Sequence, residues 1–186
     1  MGERINISTE VNCHLKKNEI DKIKYKLYIQ NKDVKTIMFT STKKGEGKST
    51  IMLALANSIA SDQKNVLVVC YGDASFLKKD FLENQIIKSD VKGLDFLRVE
   101  EYIDLTNIPT DAYDYILIET ENLEKTKKSI EIAENSDLII LVVEANRTNK
   151  NAVGQSISEL KISECNNIQV ILNRFKCNYR VIRKRG

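Results

Sequence analysis

Between positions 40 and 50 the chain reads Thr40-Ser41-Thr42-Lys43-Lys44-Gly45-Glu46-Gly47-Lys48-Ser49-Thr50, residue types that together suit the cradling of a polyphosphate. Backbone N–H groups from Lys43, Lys44, Gly45, Glu46 and Gly47 can wrap an anion, because glycines at 45 and 47 allow a close approach that a side chain would block. Lys48 is placed to reach the terminal phosphates. The Ser49 hydroxyl can ligate magnesium, whose remaining ligands are then phosphate oxygens and water, and Thr50 supports the start of the following helix. The strict Gly-x-x-x-x-Gly-Lys-[Ser/Thr] pattern asks for glycine at 42, where this chain has Thr42. A flexible Gly/Lys turn is the ordinary alternative, and the flanking elements decide against it.

Those elements are a short apolar run, Ile37-Met38-Phe39, ahead of the loop and a run rich in small and apolar residues after it (Ile51, Leu53, Ala54, Leu55, Ala56, Ile59). The first predicts a buried strand over 35–41, the second a helix whose N-terminus would face the anion. Upstream, Ile20, Ile23 and Leu27 recur at helical spacing over 18–30, with Asn18 as the expected cap. Downstream, β-branched runs predict strands at 66–70, 113–119, 137–144 and 168–173, separated by helical stretches near 122–134 and 149–163. Continuous apolar strands alternating with helices predict a single α/β domain with a mostly parallel sheet flanked by helices on both faces. Residues 73–110 give no clear period: Phe76, Leu77, Phe81 and Leu82 fit one helix face, while 93–99 fits a strand or a helix start.

Length and composition agree with one domain: 186 residues, 42% hydrophobic and 30% charged, with one proline and seven glycines. The longest aliphatic run, Leu138 to Val143, is far short of the roughly 20 residues of a membrane span, and the first residues lack the apolar stretch of a signal peptide. A cytoplasmic protein is expected. Cys13, Cys70, Cys165 and Cys177 show no metal-binding spacing, and Cys13 beside His14, the one histidine, is a poor nucleophile and base pair because adjacent side chains diverge. The net charge of +3 divides into a basic end of +6 after Glu164 and a body of −3. That end lacks the interleaved aromatics of a nucleic-acid strip and reads as a solvated terminus.

The 40–50 stretch resembles the first nucleotide-binding motif of the bacterial tyrosine kinases of capsular and exopolysaccharide biosynthesis, relatives of the MinD and ParA ATPases. Residues 113–120 resemble the family's second carboxylate strand, 136–148 the strand and turn after it, and 170–175 its last strand. The resemblance covers about residues 18–175. It implies a P-loop NTPase fold preceded by an extension over 1–17 and followed by a basic tail over 176–186. It also implies ATP and Mg²⁺ as ligands, with Lys48, Asp73 and Glu119 in catalysis, Ser49 and Glu119 at the metal, and Lys43 as a second lysine contacting nucleotide across a dimer. Asn173, with Arg174, would face the adenine at the end of the last strand. The implied activity is transfer of the ATP γ-phosphoryl group to tyrosine, with a membrane activator of the polysaccharide co-polymerase type, a homo-oligomer, and a place at the inner face of the cell membrane.

Several residues depart from the family pattern. Cys70, or Tyr71 in a shifted register, stands where the first of two aspartates is expected, with Asp73 as the second. Glu119 replaces an aspartate and is longer by one C–C bond, roughly 1.5 Å. Tyr179 alone remains of the terminal tyrosine cluster, and the helix motif Glu-x-x-Arg-x-x-Arg reads Glu19, Lys22, Tyr25. The lost acid leaves two further readings open: a catalytically weak or silent nucleotide-binding regulator of polysaccharide export, and a ParA/MinD-like positioning ATPase.

Overall fold

The structure is a computed structural model that describes residues 17–30, 33–71, 84–99, 109–124, 128–164 and 167–174. In chain order the elements are α1 (Lys17–Gln30), β1 (Thr36–Ser41), α2 (Lys48–Ser61), β2 (Val66–Tyr71), β3 (Ile86–Lys88), β4 (Leu94–Val99), β5 (Tyr115–Glu119), α3 (Lys128–Glu134), β6 (Leu138–Glu144), α4 (Lys150–Leu160) and β7 (Ile168–Asn173). They form one seven-stranded sheet in the order β3-β4-β2-β5-β1-β6-β7. Every pairing is parallel except β3 with β4. The expected α/β architecture of a P-loop NTPase is what forms.

Strand alternation sends each apolar run to two faces at once, which is why these strands carry no polar stripe. Phe39, Val68, Leu117, Ile140 and Val142 face α1 and α2, where Ile51, Leu55 and Ile59 meet them. Met38, Leu67, Val69, Ile118 and Leu141 face the other way, against Ile132, Ala133 and Leu160. Each such large apolar side chain stabilises the fold by roughly 1.5–3 kcal/mol on burial. α1 buries Ile20 and Leu27 and is pinned to α2 by Lys24 Nζ on Asp62 at 2.9 Å and by the Tyr28 hydroxyl donating to Asp62 at 3.1 Å. The Tyr28 ring stacks on Tyr115 of β5.

The structure also corrects details of the sequence reading. Residues 94–99 are a strand, and α1 already includes Asn18, so that residue does not cap it. The strand expected from 113 begins at Tyr115, because a 3-10 turn over Thr110–Ala112 brings the chain in. Tyr113 instead buries its ring and donates to Asp95 at 2.8 Å. Asn149 caps α4 by accepting from the Ala152 amide at 2.8 Å.

Candidate active site

Because the central strands run parallel, β1, β2, β5, β6 and β7 all end on the same edge of the sheet, at Ser41, Tyr71, Glu119, Glu144 and Asn173. Ligands of open parallel sheets sit outside this carboxyl edge. Here it carries the 42–47 loop between β1 and α2. Gly45 and Gly47 have φ of 85° and 91°, left-handed values that only glycine adopts without strain. Gly47 is also the N-cap of α2 and offers no side chain to the first helical turn. The opening amides of that turn have no carbonyl partner within the helix, so they present a partial positive charge to an anion.

The first two residues of α2 meet the end of β5. Lys48 Nζ lies 3.1 Å from Glu119 Oε1, and the Ser49 hydroxyl donates to the same oxygen. Glu119 is 5% exposed, and its second oxygen, Oε2, is buried without a hydrogen-bonding partner. A buried carboxylate oxygen left unpaired is costly, and one beside a serine hydroxyl at a helix N-terminus fits a hard cation. Oxygen donors of this kind suit Mg²⁺. Ser49 and Glu119 would hold it, with nucleotide oxygens and water completing its shell.

Cys70 lies directly opposite Glu119 in the β2–β5 register and is fully buried. Burial, reinforced by the Glu119 charge, pushes its thiol well above the usual range, and the charges of Lys48 and Arg98 offset this only in part. A neutral thiol is a poor ligand for magnesium and a poor base for a hydroxyl. Asp73, expected to supply the second acid, lies outside the described residues.

The remaining loop residues take distinct places. Lys44 and Gly45 are exposed, and Lys43, Lys48, Ser49 and Thr50 are half-buried. Lys43 Nζ stands 3.9 Å from Glu124. Glu46 is fully buried. Its Oε2 accepts from the Lys43 amide at 2.8 Å, and its Oε1 accepts from the Glu144 amide at 3.2 Å and from the Thr148 hydroxyl. Asn173 sends its amide nitrogen to the Glu46 carbonyl at 2.8 Å, while its oxygen accepts from the Arg174 amide. Arg174 and Arg147 both lie 2.9 Å from the Glu144 carboxylate, and these two hydrogen-bonded cations hold its pKa below the usual value.

Two of these relationships escape a motif search. Thr42, at the position where the strict pattern has glycine, is buried and accepts from the Ser156 hydroxyl of α4 at 3.1 Å, so the departure has a structural use. Thr148 belongs to the loop's support. A Cβ at Gly45 would stand 3.4 Å from Arg147 Nη1, which puts that guanidinium beside the loop.

The family model for the CobQ/CobB/MinD/ParA nucleotide binding domain matches residues 37–185. Among solved structures, the fold is similar to the kinase domain of the Escherichia coli tyrosine kinase ETK (TM-score 0.75, 17% identity, 96% of this chain and 85% of that one). It is likewise similar to the VpsO kinase domain (TM-score 0.67, 26% identity, 83% and 92%) and to the cell division protein MinD of Aquifex aeolicus (TM-score 0.59, 21% identity, 76% and 70%). No sequence match was found among curated proteins.

Proposed function

The chain belongs to the CobQ/CobB/MinD/ParA nucleotide binding domain family, and from that premise we propose that it binds Mg·ATP at the carboxyl edge of its sheet and transfers the γ-phosphoryl group to tyrosine, in the control of capsular or exopolysaccharide synthesis. A P-loop ATPase or kinase-like role follows from the family and the fold. The observation that carries the ligand is the convergence of Lys48, Ser49 and Glu119, with Glu119 Oε2 buried and unpaired.

In this reading the loop amides and the α2 N-terminus bind phosphate oxygens, and Lys48 stabilises the charge on the transferring group. Magnesium, when bound, would supply positive charge against the phosphate oxygens. Ser49 and Glu119 would hold it, and the end of β7, where the Asn173 amide is engaged by the Glu46 carbonyl and the Arg174 amide, would flank the base. The likeness to kinase domains supports phosphoryl transfer. A homo-oligomer, and a membrane activator that holds the protein at the inner face of the membrane, belong to the same proposal. Among the described residues no helix is long and apolar enough to cross a membrane itself.

One observation favours a second reading, a nucleotide-dependent regulator with little or no transfer. Of the two residues, Cys70 and Tyr71, that can stand where the resembled family pattern has its first acid, Cys70 lies beside Glu119, and its neutral buried thiol does not replace an acid. Incubation with Mg·ATP separates the two. Phosphotyrosine that appears in the wild type and is absent from Lys48→Met supports the kinase. Calorimetric ATP binding without any label, with or without a membrane activator, supports the regulator, and absence of both ends the nucleotide reading.

A further inference from the structure

We infer that Glu46 is a positioning residue whose buried carboxylate fastens the phosphate loop to the corner between β6 and α4, so that the loop's grip on a polyphosphate depends on Thr148, a residue outside the loop. The inference rests on the nucleotide-binding reading above and assigns Glu46 a part that its place in the motif does not disclose. An acid inside a polyphosphate loop is electrostatically adverse unless it is turned away from the anion and hydrogen-bonded. Both conditions hold. Glu46 has no exposed surface, and its two oxygens accept from three donors: the Lys43 amide at one end of the loop, the Glu144 amide at the end of β6, and the Thr148 hydroxyl in the turn after it.

Only a carboxylate meets this arrangement. All three partners donate, and an ionised carboxylate is the side chain that only accepts, through two oxygens pointing apart. A glutamine would have to turn its NH₂ toward one of the donors. The same residue is gripped from behind, where its carbonyl accepts from Asn173 Nδ2, so Glu46 is fixed to β6 through its side chain and to β7 through its backbone. A loop fixed on two sides loses little freedom when an anion arrives, which is the usual origin of tight phosphate binding by backbone amides.

The test is calorimetric titration of the full chain with Mg·ATP and, separately, with inorganic tripolyphosphate, for wild type, Glu46→Gln, Thr148→Val and Thr148→Ser. Loosening the loop lowers affinity for both ligands by the same factor, about fivefold or more in Glu46→Gln and Thr148→Val, while Thr148→Ser keeps the hydroxyl and the wild-type affinity. Wild-type affinity in Thr148→Val overturns the inference, as does a loss confined to Glu46→Gln, which would mean that Glu46 touches the ligand. Amide hydrogen exchange on the ligand-free protein gives an independent arm. The Lys43 and Glu144 amides exchange faster in Glu46→Gln than in wild type, and unchanged exchange overturns the inference. Should wild type bind neither ligand, the nucleotide reading fails by itself and the exchange arm still decides whether Glu46 anchors the loop.

Discussion

Glu119 Oε1 lies 3.1 Å from the Lys48 ammonium and accepts from the Ser49 hydroxyl, so one oxygen engages the two side chains that a Mg·ATP complex would need. On the proposed reading, nucleotide binding would redistribute this cluster, with Lys48 turning to phosphate and Glu119 and Ser49 to the metal. In Glu119→Ala, Lys48 is released without its counter-charge. Affinity for ATP in EDTA is then equal to or greater than that of wild type, and the further gain on adding magnesium shrinks by about tenfold, the worth of one lost charge-assisted contact. Paired titrations with and without magnesium check this, and an undiminished magnesium gain would remove Glu119 from the metal site.

Gly47 is constrained twice. Its φ of 91° costs a side-chain-bearing residue roughly 1–2 kcal/mol, and a Cβ there would stand 2.2 Å from Asn173 Nδ2. Gly47→Ala must displace the amide that holds the Glu46 carbonyl. A melting temperature several degrees below wild type is expected, at roughly 2–4 °C per kcal/mol for a domain of this size, together with loss of ATP binding by calorimetry.

How much of this was legible beforehand depends on how far apart the cooperating residues are. Gly45, Gly47, Lys48 and Ser49 lie within five positions between a strand and a helix whose apolar periods are local, so loop and flanks could be read directly. β4 could not, because Asp95 and Arg98 interrupt its apolar run. Asp95 is tolerated only because Lys88 and Tyr113, from two other parts of the chain, reach it. β3 is three residues long and exists by pairing with β4. The Glu46–Thr148 contact spans 102 positions, and no local pattern announces a contact at that separation. Thr42 did leave a signal, as the one residue that breaks the loop motif, though its partner Ser156 was not to be found from sequence spacing.

Gly154 offers the opposite experiment to Gly47. It lies exposed within α4, its φ is not positive, and a Cβ there would meet nothing within 4 Å. Alanine removes backbone freedom from the unfolded chain and adds helix propensity, worth about 0.5–1 kcal/mol. Gly154→Ala is expected to melt roughly 1–4 °C above wild type with ATP affinity unchanged. A lower melting temperature would mean that this face of α4 packs on something in solution.

The Glu144 carboxylate gives the corner beside the loop a dependence on acid. Hydrogen bonds from Arg147, and then from Arg174, hold its pKa below the ordinary value of 4.5. A depressed acid contributes stability that is fully present above its unfolded value and is lost as pH falls through the folded one. The contribution of Glu144 should therefore be intact at neutral pH and disappear below about pH 4.5, as the protonated acid releases both guanidinium groups. Glu144→Gln lacks the charge at every pH. Its melting temperature is expected to lie below wild type at about pH 7 and to converge on it as pH falls below about 4, because only the wild type has this contribution to lose. Thermal melts of the two proteins across that range measure the convergence, and a constant offset would show that the ion pairs with Arg147 and Arg174 do not stabilise the folded chain.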